Sequence, residues 1–478
     1  MEEEALPEEK ERKVVGKWKE LVGEMKKVGS VATPMVAVTV SQYLLRVASM
    51  SMAGHLGEVS LSSAAIATSF TNVTGFSLLF GMAGALETLC GQAFGAEQYQ
   101  KLGIYTYAAI VSLLLVCLPV SLLWIFLDKI LLVLGQDPLI SQRAGKYAIC
   151  LIPALFANAI LQSLVRYLQT QSLIIPMLFC SVGTLFFHIS LCWVLVFNLK
   201  MGNSGAALAI GLSYWLDVIL LGFYVKYSSA VERTRTSFSR DVFLSIREFI
   251  HFAVPSAIMV CLEWWSYELF ILLSMLLPNP ELESSVLSIS LATVAFHFYI
   301  PYSFGTAAST RVSNELGAGN PDAAQLAVWA VIVLEAVEVT IASATLFCCR
   351  HILGRVFSND KEVVDYITDM TPLLCLSIIM DSFQAVLSGV ARGSGWQQIG
   401  AFVNLGVFYL VAIPVGLLLG FRFHMGGRGF WIGLTTGPTL QVVLLSLVTR
   451  LTDWHKQATI ARERAMKGNF PADGDSIP

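Results

Sequence analysis

Long apolar runs alternate with short polar, Gly- and Pro-rich interruptions along nearly the whole chain. A helix crossing the hydrocarbon of a bilayer needs about 20 mostly apolar residues. Twelve such runs are found, near residues 31–54, 64–90, 103–126, 144–166, 174–198, 204–226, 249–276, 284–310, 324–348, 364–388, 399–421 and 427–449. Turn and charge signals separate them, among them Gly135-Gln136-Asp137-Pro138, Leu277-Pro278-Asn279-Pro280, Gly317-Ala318-Gly319-Asn320-Pro321 and Ser358-Asn359-Asp360. Unsatisfied backbone groups in lipid cost several kcal/mol each, so these runs are expected to be helices.

The spacing of the runs also repeats. Gly95-Ala96 recurs as Gly317-Ala318 and Gln162 as Gln384, both 222 residues later; Pro34 recurs as Pro255 and Gly202-x-x-Gly205 as Gly426-x-x-Gly429. Six runs separate each pair, so the two halves insert with the same orientation. The expected fold is an all-α polytopic membrane protein of two six-helix bundles related by a parallel internal repeat, with cargo held between the halves near the midplane. The chain then divides into a partly disordered N-terminal segment (1–30), an N-terminal bundle (31–226), a polar and basic linker (227–248), a C-terminal bundle (249–449) and a tail (450–478).

Composition agrees. Of 478 residues, 55% are hydrophobic and 14% charged, against roughly 25% charged in an average soluble domain. Too little polar surface exists to coat a water-facing globule, and the 36 glycines suit membrane helices. Soluble enzymes and nucleic-acid binders are excluded on this ground. The net charge of −3 suggests no polyanionic partner, and the nine cysteines sit mostly in apolar runs without metal or redox spacing. The charged first 30 residues lack the apolar core of a cleavable signal. Lys and Arg collect on the side of the two termini, 21 against nine on the other, with Arg46 inside the first run. Both termini are therefore expected in the cytosol.

Ionisable groups deep in a bilayer are expensive and usually face a cavity or a partner. Glu263 lies 16 residues from Arg247 and 16 from Asn279; Asp381 lies 12 from Asp369 and 11 from Arg392. Both are central. The corresponding positions of the first half carry Gln42 and Ala159, so only the second half holds these acids. A carboxyl in an apolar cavity can hold a proton near neutral pH, and once deprotonated it offers charge to an organic cation. If proton and cargo stabilise different states, a proton gradient drives export.

On the Glu263 side of its helix lie Ser266, Tyr267 and Phe270; Gln384 and Ser388 follow Asp381 at i+3 and i+7. These stripes are expected to line a cavity suited to flat cationic cargo through stacking and cation–π contacts. Glu268 is a weaker candidate because it lies about 140° around the helix from Glu263. His297, beside Phe296 and Tyr299, stands as a second proton site. Glu335 and Glu338 suit a helix–helix hydrogen bond, and Asp217 one across the first bundle. No phosphate loop, metal set or nucleophile motif is found, so neither a cofactor nor an enzymatic role is expected, and the proton is the coupling ion.

Several segments resemble one family. Ser309-Thr310-Arg311-Val312-Ser313-Asn314-Glu315-Leu316-Gly317-Ala318-Gly319, Cys261-Leu262-Glu263-Trp264-Trp265, Leu276 to Pro280 and Met425-Gly426-Gly427-Arg428-Gly429 are similar to motifs of the multidrug and toxic compound extrusion (MATE) family, in its plant detoxification branch. The resemblance runs from about residue 30 to 450. It implies two bundles around a V-shaped cleft in a plasma or vacuolar membrane, exporting organic cations and plant metabolites in exchange for protons. It also implies that the coupling carboxylates are Glu263 and Asp381. Ser49 stands where bacterial relatives often place an Asp, which makes a first-bundle mechanism and sodium coupling less expected. A second reading is a member dedicated to one metabolite, such as a flavonoid, alkaloid, hormone or organic acid. A monomer suffices for alternating access.

Overall fold

The computed structural model describes residues 5–467. Among them, twelve helices are long and apolar enough to cross a membrane. We number them α1 (Ala5–Gly54), α2 (Glu58–Gly95), α3 (Tyr99–Ile125), α4 (Pro138–Thr170), α5 (Ile174–Asn198), α6 (Gly202–Tyr227), α7 (Asp241–Ser274), α8 (Pro280–Ala318), α9 (Pro321–Cys348), α10 (Lys361–Ser394), α11 (Gln397–Arg422) and α12 (Gly426–Leu451). A thirteenth, α13 (Trp454–Met466), follows. The starts obey local chemistry. Pro138 opens α4 behind Asp137, whose carboxylate accepts from the amides of Leu139 at 2.8 Å and Ile140 at 3.1 Å. Pro280 and Pro321 also stand in the first turns of α8 and α9, each behind an Asn whose side chain makes no cap hydrogen bond.

The repeat is carried by irregularities as well as by helices. Left-handed backbone recurs at Glu97 and Gly319, Ser172 and Gly395, Lys200 and His424, and Gly202 and Gly426. A π-helical turn ends both α5 (Val194–Asn198) and α11 (Leu418–Arg422). A short surface helix follows both α3 (Leu127–Val133) and α9 (Arg350–Phe357). Such features are costly to place by chance and mark equivalent positions of two related bundles. Leu115, Leu118, Leu122, Phe186 and Leu410 are among the apolar side chains left exposed on the outer faces, which lipid covers in an integral membrane protein.

The bundles meet through α1, α2 and α3 on one side and α7, α8 and α9 on the other. On the side that carries the chain ends they are closed together by small residues. A Cβ on Gly95 would collide with the Asn314 carbonyl, and one on Gly317 with the Gln92 carbonyl. Polar contacts finish the seam. Asn314 Nδ2 donates to Thr170 O at 3.1 Å, and Thr88 Oγ1 donates to Arg392 O. Fully buried Glu87 pairs with Arg166 of its own bundle at 3.1 Å and with Arg392 of the other at 2.8 Å. The N-terminal bundle and the terminal-side part of the C-terminal bundle accordingly share one hydrophobic core, whereas the far part of the C-terminal bundle has its own around Phe270, Ile367 and Trp431.

Two segments differ from their sequence-based outlines. The segment 1–30 is helical from Ala5, continuous with the first span; the acidic start before Ala5 and the tail after Lys467 lie outside the described residues. The linker is shorter than 227–248, because α7 begins at Asp241, and Thr234 ties it to α4 through Tyr167 at 2.7 Å and Gln171 at 2.8 Å. The segment after 450 carries α13, which lies across the closed seam. Lys101 Nζ of the N-terminal bundle donates to Ala465 O at 2.5 Å, and Gln457 Nε2 donates to Ser394 O of the C-terminal bundle at 2.7 Å.

Candidate functional site

Above the seam the bundles diverge around an open cleft with a cavity of about 220 Å³. Its C-terminal wall is the middle of α7, where Glu263, Trp264, Tyr267 and Glu268 fall within two turns, together with Asp381 of α10 and Phe298 and Tyr299 of α8. Its N-terminal wall is Arg46 of α1 and Asn72 of α2. Asn72 opens a π-helical turn (Asn72–Phe76), a local widening that re-aims side chains and recurs at functional sites. A second cavity of about 100 Å³ adjoins it, shares Arg46, Trp264, Phe298 and Tyr299, and reaches Gln42 and Gln162.

The two acids that sequence depth singled out are brought to one wall and anchored separately. Gln384 Nε2 donates to Glu263 Oε2 at 2.9 Å and also to Ser388 Oγ at 3.1 Å, while Gln441 Nε2 of α12 donates to Ser388 Oγ at 3.3 Å. Tyr267 Oη donates to Asp381 Oδ1 at 3.2 Å. Glu263 and Asp381 are 9% and 5% exposed, enough contact with the cavity to exchange a proton or meet a cation and too little to be hydrated freely. Gln384 and Ser388 are buried behind Glu263. They hold the acid and do not face the cargo space.

Other expected liners are placed elsewhere. Phe270 is 1% exposed and packs on Phe430, ring centroids 5.6 Å apart. It shares a helix face with Glu263, but two turns farther on the C-terminal bundle has closed around α7, so it is core and not cavity. His297 points from α8 to α9, where Nε2 meets Glu338 Oε1 at 3.1 Å. That helix–helix bond takes it out of the cleft. Glu268 moves the other way. It lines the cavity despite its angle from Glu263, because the wall curves round α7, and Ser69 Oγ of the other bundle donates to its Oε2 at 2.5 Å.

Glu335 is fully buried with neither carboxylate oxygen hydrogen-bonded. Asp217 Oδ1 is likewise buried without a partner, so the bond expected across the first bundle is not formed through it. Ser49 bonds the buried His188 Nε2 at 2.9 Å. Sequence reasoning did not single out Trp264, Phe298 and Tyr299 as cleft residues, nor the Glu87–Arg166–Arg392 cluster. For the cluster the signal was present in Glu87 and Arg392, each one basic or acidic residue inside or beside an apolar run.

The MatE family model matches the chain twice, over residues 34–194 and 255–418, once in each bundle. The chain belongs to the MATE family. Among curated relatives, Protein DETOXIFICATION 6 of Arabidopsis thaliana is 55% identical over 441 residues, covering 92% of this chain and 91% of the relative. Protein DETOXIFICATION 14 of the same plant is 54% identical over 460 residues, covering 96% and 95%. The crystal structure of the eukaryotic MATE transporter AtDTX14 superposes with a TM-score of 0.90 at 55% identity, over 94% of this chain and all of that one. An outward-facing multidrug resistance MATE transporter of the MOP superfamily shares the fold at 15% identity, TM-score 0.81, over 92% and 97%. This chain is thus an integral membrane protein of a transporter family.

Proposed function

We propose that this MATE protein is a proton-coupled antiporter exporting organic cations, including xenobiotics and plant secondary metabolites. The observation that carries the reading is the placement of Glu263 and Asp381, both nearly buried, on one wall of an aromatic-lined cleft. A carboxylate there attracts a cation, and the faces of Trp264 and Phe298 add cation–π attraction. A carboxyl that has taken a proton loses that attraction and becomes a hydrogen-bond donor. Proton and cargo therefore compete for the same groups, which is the requirement for exchange. Gln384 and Tyr267 keep the two acids in place in either state, since an amide and a phenol each bond a charged or a neutral carboxyl.

With both termini in the cytosol, the glycine-lined seam closes the cytosolic side and the cleft faces outward. Across the cleft the bundles are joined by Ser69 Oγ to Glu268 Oε2 and by Arg46 Nη2 to Tyr299 Oη. An acidic exterior then protonates the acids, expels cargo and favours rocking to the inward-facing state. Plasma and vacuolar membranes both present such a gradient, and a monomer contains all the parts. The test is a pH jump on proteoliposomes loaded with a fluorescent organic cation. Export should follow the proton gradient and collapse with an uncoupler; export indifferent to the gradient overturns the reading.

A further inference from the structure

Between the bundles the chain runs through residues 235–239 without helix or strand. Up to this point it is fastened to the N-terminal bundle. Thr234 bonds Tyr167 and Gln171 of α4, and Arg235 Nη1 donates to the Lys226 carbonyl near the end of α6. Thr236 packs against Gly103 of α3. Just beyond, the C-terminal bundle takes over. Phe238 lies edge-on between Tyr107 of α3 and Phe243 of α7, ring centroids 5.7 Å from each. Ser239 Oγ donates to Asp241 Oδ2, in the first turn of α7, at 3.1 Å. Ser237 stands at the joint.

Its hydroxyl differs from those beside it. Thr234 is buried and bonded, Thr236 Oγ1 is enclosed, and Ser239 is held by Asp241, whereas Ser237 is exposed. Arg233 and Arg235 precede it and Arg240 follows, all exposed; the acids nearby are Glu232 and Asp241. Protein kinases select extended segments by their charge pattern, and arginines ahead of an exposed hydroxyl suit one with an acidic groove. Six spanning helices precede the linker, so it lies on the side of the chain ends, the side expected to face cytosolic ATP. We propose that Ser237 is a phosphorylation site for an arginine-directed kinase, and that its phosphate ties the bundles together by bridging Arg235 and Arg240. In that step Ser237 Oγ bonds to the γ-phosphorus of ATP and the bond from that phosphorus to the β–γ bridging oxygen breaks. ADP departs, and the hydroxyl proton passes through the kinase's aspartate to water. Arg235 holds α6 through Nη1 alone, and a guanidinium has five N–H donors, so Nε and Nη2 are left for the phosphate. Arg240 immediately precedes α7. The tie therefore runs from α6 through both arginines to α7, across the joint that must flex as the bundles rock.

The test treats the purified full-length protein in nanodiscs with Mg-ATP and the catalytic domain of an arginine-directed serine/threonine kinase. The phosphate is located by fragment-ion mass spectrometry, and the protein is then reconstituted for dye export. Phosphate should be found on Ser237 and be lost in Ser237→Ala; no phosphate, or phosphate on Thr236 or Ser239 alone, overturns the site. The modified protein should export with Vmax lower by about twofold or more and KM unchanged, and a phosphatase should restore the rate. Arg240→Gln should accept the phosphate without that loss. An unchanged Vmax, or the same fall in Arg240→Gln, overturns the tie. Hydrogen exchange of the amides of residues 235–241 should slow by about threefold or more on phosphorylation. This readout needs neither cargo nor gradient, so it still decides if the antiport reading fails, and unchanged exchange overturns the tie by itself.

Discussion

Glu263 and Asp381 reach the cavity from different helices and through different anchors, so each can be removed without dislodging the other. Glu263→Gln keeps the hydrogen bond with Gln384 but cannot exchange a proton; Asp381→Asn does the same toward Tyr267. Each is expected to lower gradient-driven export at least tenfold while the thermal midpoint in detergent changes little, measured by vesicle uptake and by melting. Phe270→Ala is the contrasting case. As a buried core ring against Phe430 and Gly416, it should cost about 3–5 kcal/mol of stability and leave KM unchanged in the protein that folds. At this scale, depth in the apolar runs was enough to find both acids, because charge is expensive in lipid wherever the helix points. Phe270 and His297 show its limit. A stripe at i+7 states which face a side chain shares, and only the neighbouring helices decide whether that face meets a cavity, Phe430 or Glu338.

Among elements, α2 and α8 approach so closely at Gly95 and Gly317 that no side chain fits between them. Gly317→Val should hold the terminal side apart. A pair of spin labels at the ends of α2 and α8, at Gln98 and Asn320, should then report a longer distance than in the wild type, and export should fall because the closed state is less populated. The thirteenth helix acts on the same seam from below. It binds the N-terminal bundle through Lys101 and through Arg464 Nη1, which donates to Gln92 Oε1 at 2.8 Å, and the C-terminal bundle through Gln457. Lys101→Ala should therefore lower the melting midpoint and shift the same label pair toward longer distances. The apolar pattern delimited all twelve spanning helices. It passed over α13, whose small buried stripe of Ala458, Ala461 and Ala465 carries little hydrophobic signal until the two bundles offer it a floor to lie against.

At the scale of the molecule, the two related bundles are held by a charge cluster that belongs to neither. Glu87→Ala leaves Arg166 and Arg392 buried without an anion and is expected to cost about 3–5 kcal/mol, read as a fall in the melting midpoint; an Arg166→Met, Glu87→Leu, Arg392→Met triple variant should recover much of it, because replacing a whole buried charge set avoids the desolvation penalty. The primary structure alone determined the class of protein, the twelve spans, the duplication and the two central acids, since each follows from what hydrocarbon excludes and from a period written along the chain. The packing of one bundle against the other decided the rest: which of the polar residues meet across 100 to 300 positions, that Glu87 joins the halves, that Arg46 faces Glu263 across a common space, and that His297 does not. Those relations depend on rotation about helix axes and on contacts distant in sequence, which a one-dimensional pattern of polar and apolar residues does not contain.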